Sequence, residues 1–107
     1  PSFQDTILLA VPSHFSVNRF FTKTALSSQD VLARKFEDPD CPSITLQAFT
    51  DTPFILLTPG NNLRKRSMTF FKEAGITPNI TMEVSQLVTS YHLARSGIGA
   101  AFISDWI

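Results

Sequence analysis

Phe54-Ile-Leu-Leu-Thr-Pro-Gly-Asn-Asn-Leu-Arg-Lys-Arg66 decides the fold. Its first five residues form a short continuous apolar run ending in Thr, as in a strand covered on both faces. Pro59-Gly-Asn-Asn62 is turn chemistry, and either asparagine can cap a helix. Leu63, Ser67, Phe70, Phe71 and Ala74 then recur at spacings of three and four until Gly75 ends the helix. A strand, a tight turn and a helix are thus joined directly.

The same grammar continues downstream. Ile80, Met82 and Val84 alternate with polar residues, as in an edge or half-covered strand. Ser85 is placed to cap a helix carrying Leu87, Val88, Tyr91 and Ala94, which Gly97 closes, and Ile98 to Ile103 reads as the last strand. Strand, helix, strand, helix, strand with short joints predicts an α/β fold, a mostly parallel sheet with helices on both faces, connected by right-handed crossovers. Gly97-Ile-Gly99 matches part of a dinucleotide fingerprint, but it precedes a strand and position 102 is Phe. Its expected work is to end the helix and let backbone pass closely into the last strand.

Upstream, Thr6 to Val11 reads as a strand that leaves the sheet at Pro12. Phe15, Phe20, Phe21 and Leu26 are the expected core-facing residues of the polar stretch that follows. Gln29 to Phe36 carries Val31, Leu32 and Phe36 at helical spacing after Ser28, and the acidic, proline-containing stretch from Glu37 to Pro42 stops it. Ser43 to Phe49 suits no single element.

With 107 residues the chain has room for one domain, and ten phenylalanines with 43% hydrophobic residues argue against disorder. Its longest apolar run, Ile7 to Val11, is far too short for a membrane helix. Nine basic residues balance nine acidic ones, which removes any chain-wide attraction to nucleic acid or anionic lipid. Cys41 is the sole cysteine, so neither an internal disulfide nor a multi-cysteine zinc site can form. The start at Pro1, almost directly on a strand, and the finish at Asp105-Trp-Ile107 lead us to expect a piece of a longer protein.

Ligands of open α/β sheets sit beyond the carboxyl ends of the strands, where helix N-termini present backbone N–H groups. Two junctions qualify, Thr58-Pro-Gly-Asn-Asn62 and Val84-Ser-Gln86. Gly60 lets backbone approach a ligand closely, and Thr58, Asn61, Asn62, Ser85 and Gln86 offer neutral donors and acceptors. The competing reading is that both are ordinary turns and caps. Arg64-Lys-Arg66 stands out because cations oppose the partial positive charge of a helix N-terminus. A bound anion or a partner's acidic face would offset them; a solvated, salt-screened patch beside Glu73 is the plainer account. Catalytic readings lack support: the sequence contains no HExxH, GxSxG or P-loop motif, and His14, His92 and Cys41 lie in unrelated stretches.

Phe54 to Arg66, then Phe71-Lys-Glu-Ala-Gly-Ile-Thr-Pro78, Met82-Glu-Val84 and Leu93-Ala-Arg-Ser-Gly-Ile-Gly-Ala-Ala-Phe-Ile103, together resemble the effector-binding domain of LysR-type transcriptional regulators. The similarity covers residues 6–12 and 51–107. It implies one lobe, the second, of a two-lobed domain like type 2 periplasmic binding proteins, with crossover strands near Thr6 to Pro12 and Ile103 to Ile107. The resemblance further implies a small polar or anionic effector held at the cleft by Thr58, Pro59, Gly60, Asn61 and Asn62 with Val84, Ser85 and Gln86. It implies no cofactor and no catalysis, DNA contact only through a helix-turn-helix domain outside this chain, no membrane association, a cytoplasmic setting, and a homo-oligomer in which residues 63–74 and 80–84 face a partner. A lobe of a solute-binding protein, and an enzyme on a similar scaffold, are the alternatives.

Overall fold

The computed structural model describes residues 7–15, 26–27, 31–35 and 46–104. Strand β1 (Ile7–Pro12) is buried along its whole length, so both of its hydrogen-bonding edges need strand partners. On one side it pairs antiparallel with β6 (Ala101–Ser104), with Ile7 opposite Ser104. On the other it pairs antiparallel with β3 (Val31–Lys35), which in turn pairs with β2 (Leu26–Ser27).

The strand at 31–35 corrects the helix expected over Gln29 to Phe36. A helix that short is marginal on its own, whereas β1 presents an open apolar edge, and that tertiary demand outweighs the local spacing. Phe20, Phe21, Cys41 and the stop at Glu37 to Pro42 lie outside the described residues, as does the side chain of Leu26.

β4 (Pro53–Leu57) and β5 (Asn79–Val84) form the parallel pair the crossovers predict. They join the other strands through a parallel bridge between Phe54 and Ala100, in which Ile55 N–H donates to Ala100 O (2.8 Å) and Ala100 N–H to Pro53 O (2.8 Å). A Cβ at Gly99 would come within 3.0 Å of that Pro53 oxygen, so glycine is what lets the backbone pass. The α/β class stands. The parallel ladder lies where the crossovers are, but the expected mostly parallel arrangement is corrected to a mixed one, because β1 pairs antiparallel with both β3 and β6, and β2 with β3.

Helix α1 (Asn62–Ala74) and helix α2 (Leu87–Arg95) cover opposite faces, because successive strand residues point to opposite sides. Ile7, Leu9, Val11, Phe54, Leu56 and Phe102 share a cluster with Phe71 of α1, joined by Leu46 and Phe49 from a short 3-10 turn at Leu46–Phe49. Leu8, Ala10, Ile55, Ala101 and Ile103 pack with Ala94 of α2. Both helices end on glycine, with Gly75 at φ 74° and Gly97 at φ 88°. Ile76 N–H reaches Phe71 O, and Ile98 N–H reaches Leu93 O, closing each last turn. Phe15 packs on the α1 side, as expected.

Candidate functional site

Because β6 runs parallel to β4 and antiparallel to β1, the carboxyl ends of β4, β5 and β6 and the start of β1 share one edge of the sheet. Both junctions picked out in the sequence emerge there. Thr58 N–H donates to Val84 O at 2.9 Å, which ties the first loop directly to the end of the second strand.

Thr58-Pro-Gly-Asn61 has proline and a positive-φ glycine (φ 97°) at the two central positions of a β-turn, the arrangement of a type II turn. Asn61 N–H lies 3.4 Å from Thr58 O across it. Asn61 is the N-cap of α1, its side chain accepting from Leu63 N–H (2.7 Å) and Arg64 N–H (3.2 Å). Pro59, Gly60 and Asn62 are exposed, while Thr58 and Asn61 are half-buried.

The second junction is built differently. Gln86, not Ser85, holds the N-cap position of α2, and its side chain makes no capping bond. The cap expected at Ser85 is thus corrected: Ser85 lies one residue too early, so its hydroxyl is not set for the first turn. Ser85 and Gln86 are exposed, and Val84 packs its half-buried side chain on the α2-side cluster, leaving its carbonyl for Thr58.

Between the two helix N-termini lies a concavity of about 210 Å³, lined by Ile7, Leu57, Asn61, Asn62, Leu63, Arg66, Leu87 and Ser104. It takes Asn61 and Asn62 from the expected set; Thr58, Pro59, Gly60, Val84, Ser85 and Gln86 share the edge without lining it. Ile7, Leu57, Leu63 and Leu87 make its apolar side, Asn61, Asn62 and Ser104 are neutral polar groups, Arg66 is a cation, and no acid lines it among the described residues. That suits a small molecule with an apolar body and a polar or anionic head. Arg66 was legible as the residue one turn beyond Asn62 on the same helix face. Ile7 and Ser104 reach the site only through the pairing of β1 with β6, which no local motif signals.

The basic run resolves residue by residue. Arg64 is turned away from this concavity: its Nη1 donates to Leu57 O (3.0 Å) and to the Glu83 carboxylate. Arg66 lines the concavity, and Lys65 is exposed. His14 packs its ring against Gly97 and Phe15, remote from both loops in the chain and in its contacts. His92 is exposed beside Tyr91. Among the described residues no group of His, Cys, Asp and Glu is placed to hold a metal, and no helix is long and apolar enough to cross a membrane.

Residues 24–107 match the family model of the LysR substrate binding domain, a span that takes in 24–50, which the motifs above had not covered. Among solved structures, the effector binding domain of QuiR in complex with shikimate superposes with a TM-score of 0.65 at 15% identity, over 94% of this chain and 38% of that one. Full-length BenM gives 0.63 at 17% identity over 94% and 28%. CbnR, a LysR family transcriptional regulator, gives 0.60 at 20% over 94% and 28%, and the same values in its complex with target DNA. These low identities carry the fold alone. The chain spans well under half the length of each of these proteins. No curated protein matches it in sequence.

Proposed function

Since this chain belongs to the LysR substrate binding domain family, we propose that it is the effector-sensing lobe of a transcriptional regulator. A small polar or anionic metabolite would be held at the edge formed by Thr58, Pro59, Gly60, Asn61 and Asn62 with Val84, Ser85 and Gln86. The observation that carries this reading is the Thr58 N–H to Val84 O bond, which joins both loops at one rim beside the concavity. The lobe itself performs no chemistry. Effector held between this lobe and a second one would favour one closure of the pair over another and so bias DNA binding by a domain outside this chain. The family match favours this reading over a transport lobe. The full-length protein would act in the cytoplasm as a homo-oligomer, with the outer side of α1 and the exposed strand β5 toward a partner.

The test is an NMR titration of the ¹⁵N-labelled chain with shikimate, the ligand of the QuiR domain, and with other small carboxylates. Shifts confined to the amides of Thr58, 60–62 and 84–87 are expected, with weak affinity because one lobe supplies half the contacts. Shifts centred on the opposite edge, around His14 and Gly97, would refute the assignment. So would sub-micromolar binding by calorimetry, which a split site cannot provide.

A further inference from the structure

The amide N–H of Thr58 and the carbonyl of Leu57 belong to one peptide unit, and that unit is planar. Its N–H is held by Val84 O at 2.9 Å, and its oxygen accepts from Arg64 Nη1 at 3.0 Å. A plane gripped at both its hydrogen and its oxygen has little freedom to rotate, and this is the plane from which the first loop departs. The same Nη1 donates to Glu83, the residue before Val84, so one guanidinium nitrogen spans the ends of β4 and β5. Arg64's own backbone N–H holds the Asn61 side chain at the far end of the loop. Arg64 therefore touches the start of the first loop, its finish, and the last turn of strand before the second.

A cation in the first turn of a helix is unfavourable with respect to the helix dipole, so its placement asks for an offset. An exposed ion pair is a weak one, and Glu83 has 42% of its side chain accessible. Arg64 is different: its side chain is only 15% accessible, and its bond to Leu57 O is charge-assisted and directed at backbone. We infer that Arg64 is a positioning residue for the effector site, setting the orientation of the Leu57–Thr58 peptide directly and the approach of the second loop through Glu83. The inference rests on the reading of these loops as that site. Arg64 itself contacts no ligand; it decides where Thr58 and Ser85 stand before a ligand arrives.

Amide hydrogen exchange tests this in the whole chain without any ligand. In Arg64→Gln the Thr58 amide should exchange about tenfold faster or more, the effect of losing a charge-assisted bond. The Ile55 amide, bonded to Ala100 O and untouched by Arg64, should keep its rate. Arg64→Lys, which keeps the charge but loses the planar fork, should fall between. Equal acceleration at Thr58 and Ile55, or none at Thr58, overturns the inference. If Arg64→Gln does not fold, Glu83→Gln decides: it leaves the bond to Leu57 in place and should shift the Ser85 amide resonance while raising Thr58 exchange only slightly. An unmoved Ser85 resonance there overturns the role. The carboxylate titration of the unmodified chain judges the site reading separately: silent loops in that experiment would remove the ligand but leave the exchange result to decide the clamp.

Discussion

The two strand-to-helix junctions sit side by side and are stabilised in opposite ways. The first, Thr58 to Asn61, carries its own determinants: Pro59 and Gly60 shape the turn, and the Asn61 side chain takes up two orphan N–H groups of α1. The second, Ser85 to Gln86, has no side-chain cap and is held from outside, through Thr58 on Val84 O and Arg64 on Glu83. The asymmetry continues below the surface. Helix α1 buries Phe71 among Phe54 and Phe102, with ring centroids 4.9 and 5.7 Å away, while α2 buries only Ser90 and Ala94. The first unit is thus a template and the second leans on it, which puts the firmer half of the proposed site on β4 and α1.

The most severe way to break this comparison is to unseat α1. Phe71→Ala should cost about 3–5 kcal/mol, the usual penalty for emptying a buried aromatic site, in urea unfolding. Leu87→Ala, at a half-buried position of α2, should cost roughly 1–2 kcal/mol, since only part of its apolar surface leaves water on folding. Equal costs would show that the two helices are anchored alike. Next in size is Gly60→Ala. An added Cβ there meets nothing within 4 Å, so the whole penalty, about 1–3 kcal/mol, comes from holding a non-glycine residue at φ 97°. A neutral result in the same assay would mean the turn relaxes freely and is no template. Asn61→Ala follows at about 1 kcal/mol, the value of a lost N-cap.

How much of this was legible in the sequence follows the same divide. The run from β4 to β6 could be read because each element is marked locally, by Gly60 and Asn61, by Gly75, and by the alternation through Ile80, Met82 and Val84. The strand at Val31–Lys35 was illegible for a physical reason: its local spacing suits a helix, and only the open edge of β1 makes it a strand. In the site, the two loops and Asn61 as a cap were readable from residue type and position. The clamp was not, although the oddity of Arg64-Lys-Arg66 was visible. A cation near a helix N-terminus announces that something offsets it, but that the offset is the Leu57 carbonyl, with Glu83 of the neighbouring strand beside it, depends on how β4 and β5 register. Ser85 misled because a serine before a helix is a good cap only if it falls on the last extended residue, and here that residue is Gln86.

The smallest effect sharpens the comparison most. Gln86 already has the extended backbone an N-cap needs, at φ −120° and ψ 134°, and lacks only a side chain short enough to bond the first turn. Gln86→Asp should therefore stabilise the chain by roughly 0.5–1 kcal/mol, through the capping bond and the favourable end of the helix dipole. The gain should appear as a higher urea midpoint with an unchanged slope, which separates added stability from a change in the unfolded chain. It should also weaken any carboxylate response of the second loop, because a fixed negative charge now occupies the donors a ligand would use. If stability rises and the titration is unaffected, the free end of α2 has no part in binding and the first loop acts alone. If stability does not rise, the α2 donors already have partners, and the difference between the two junctions disappears.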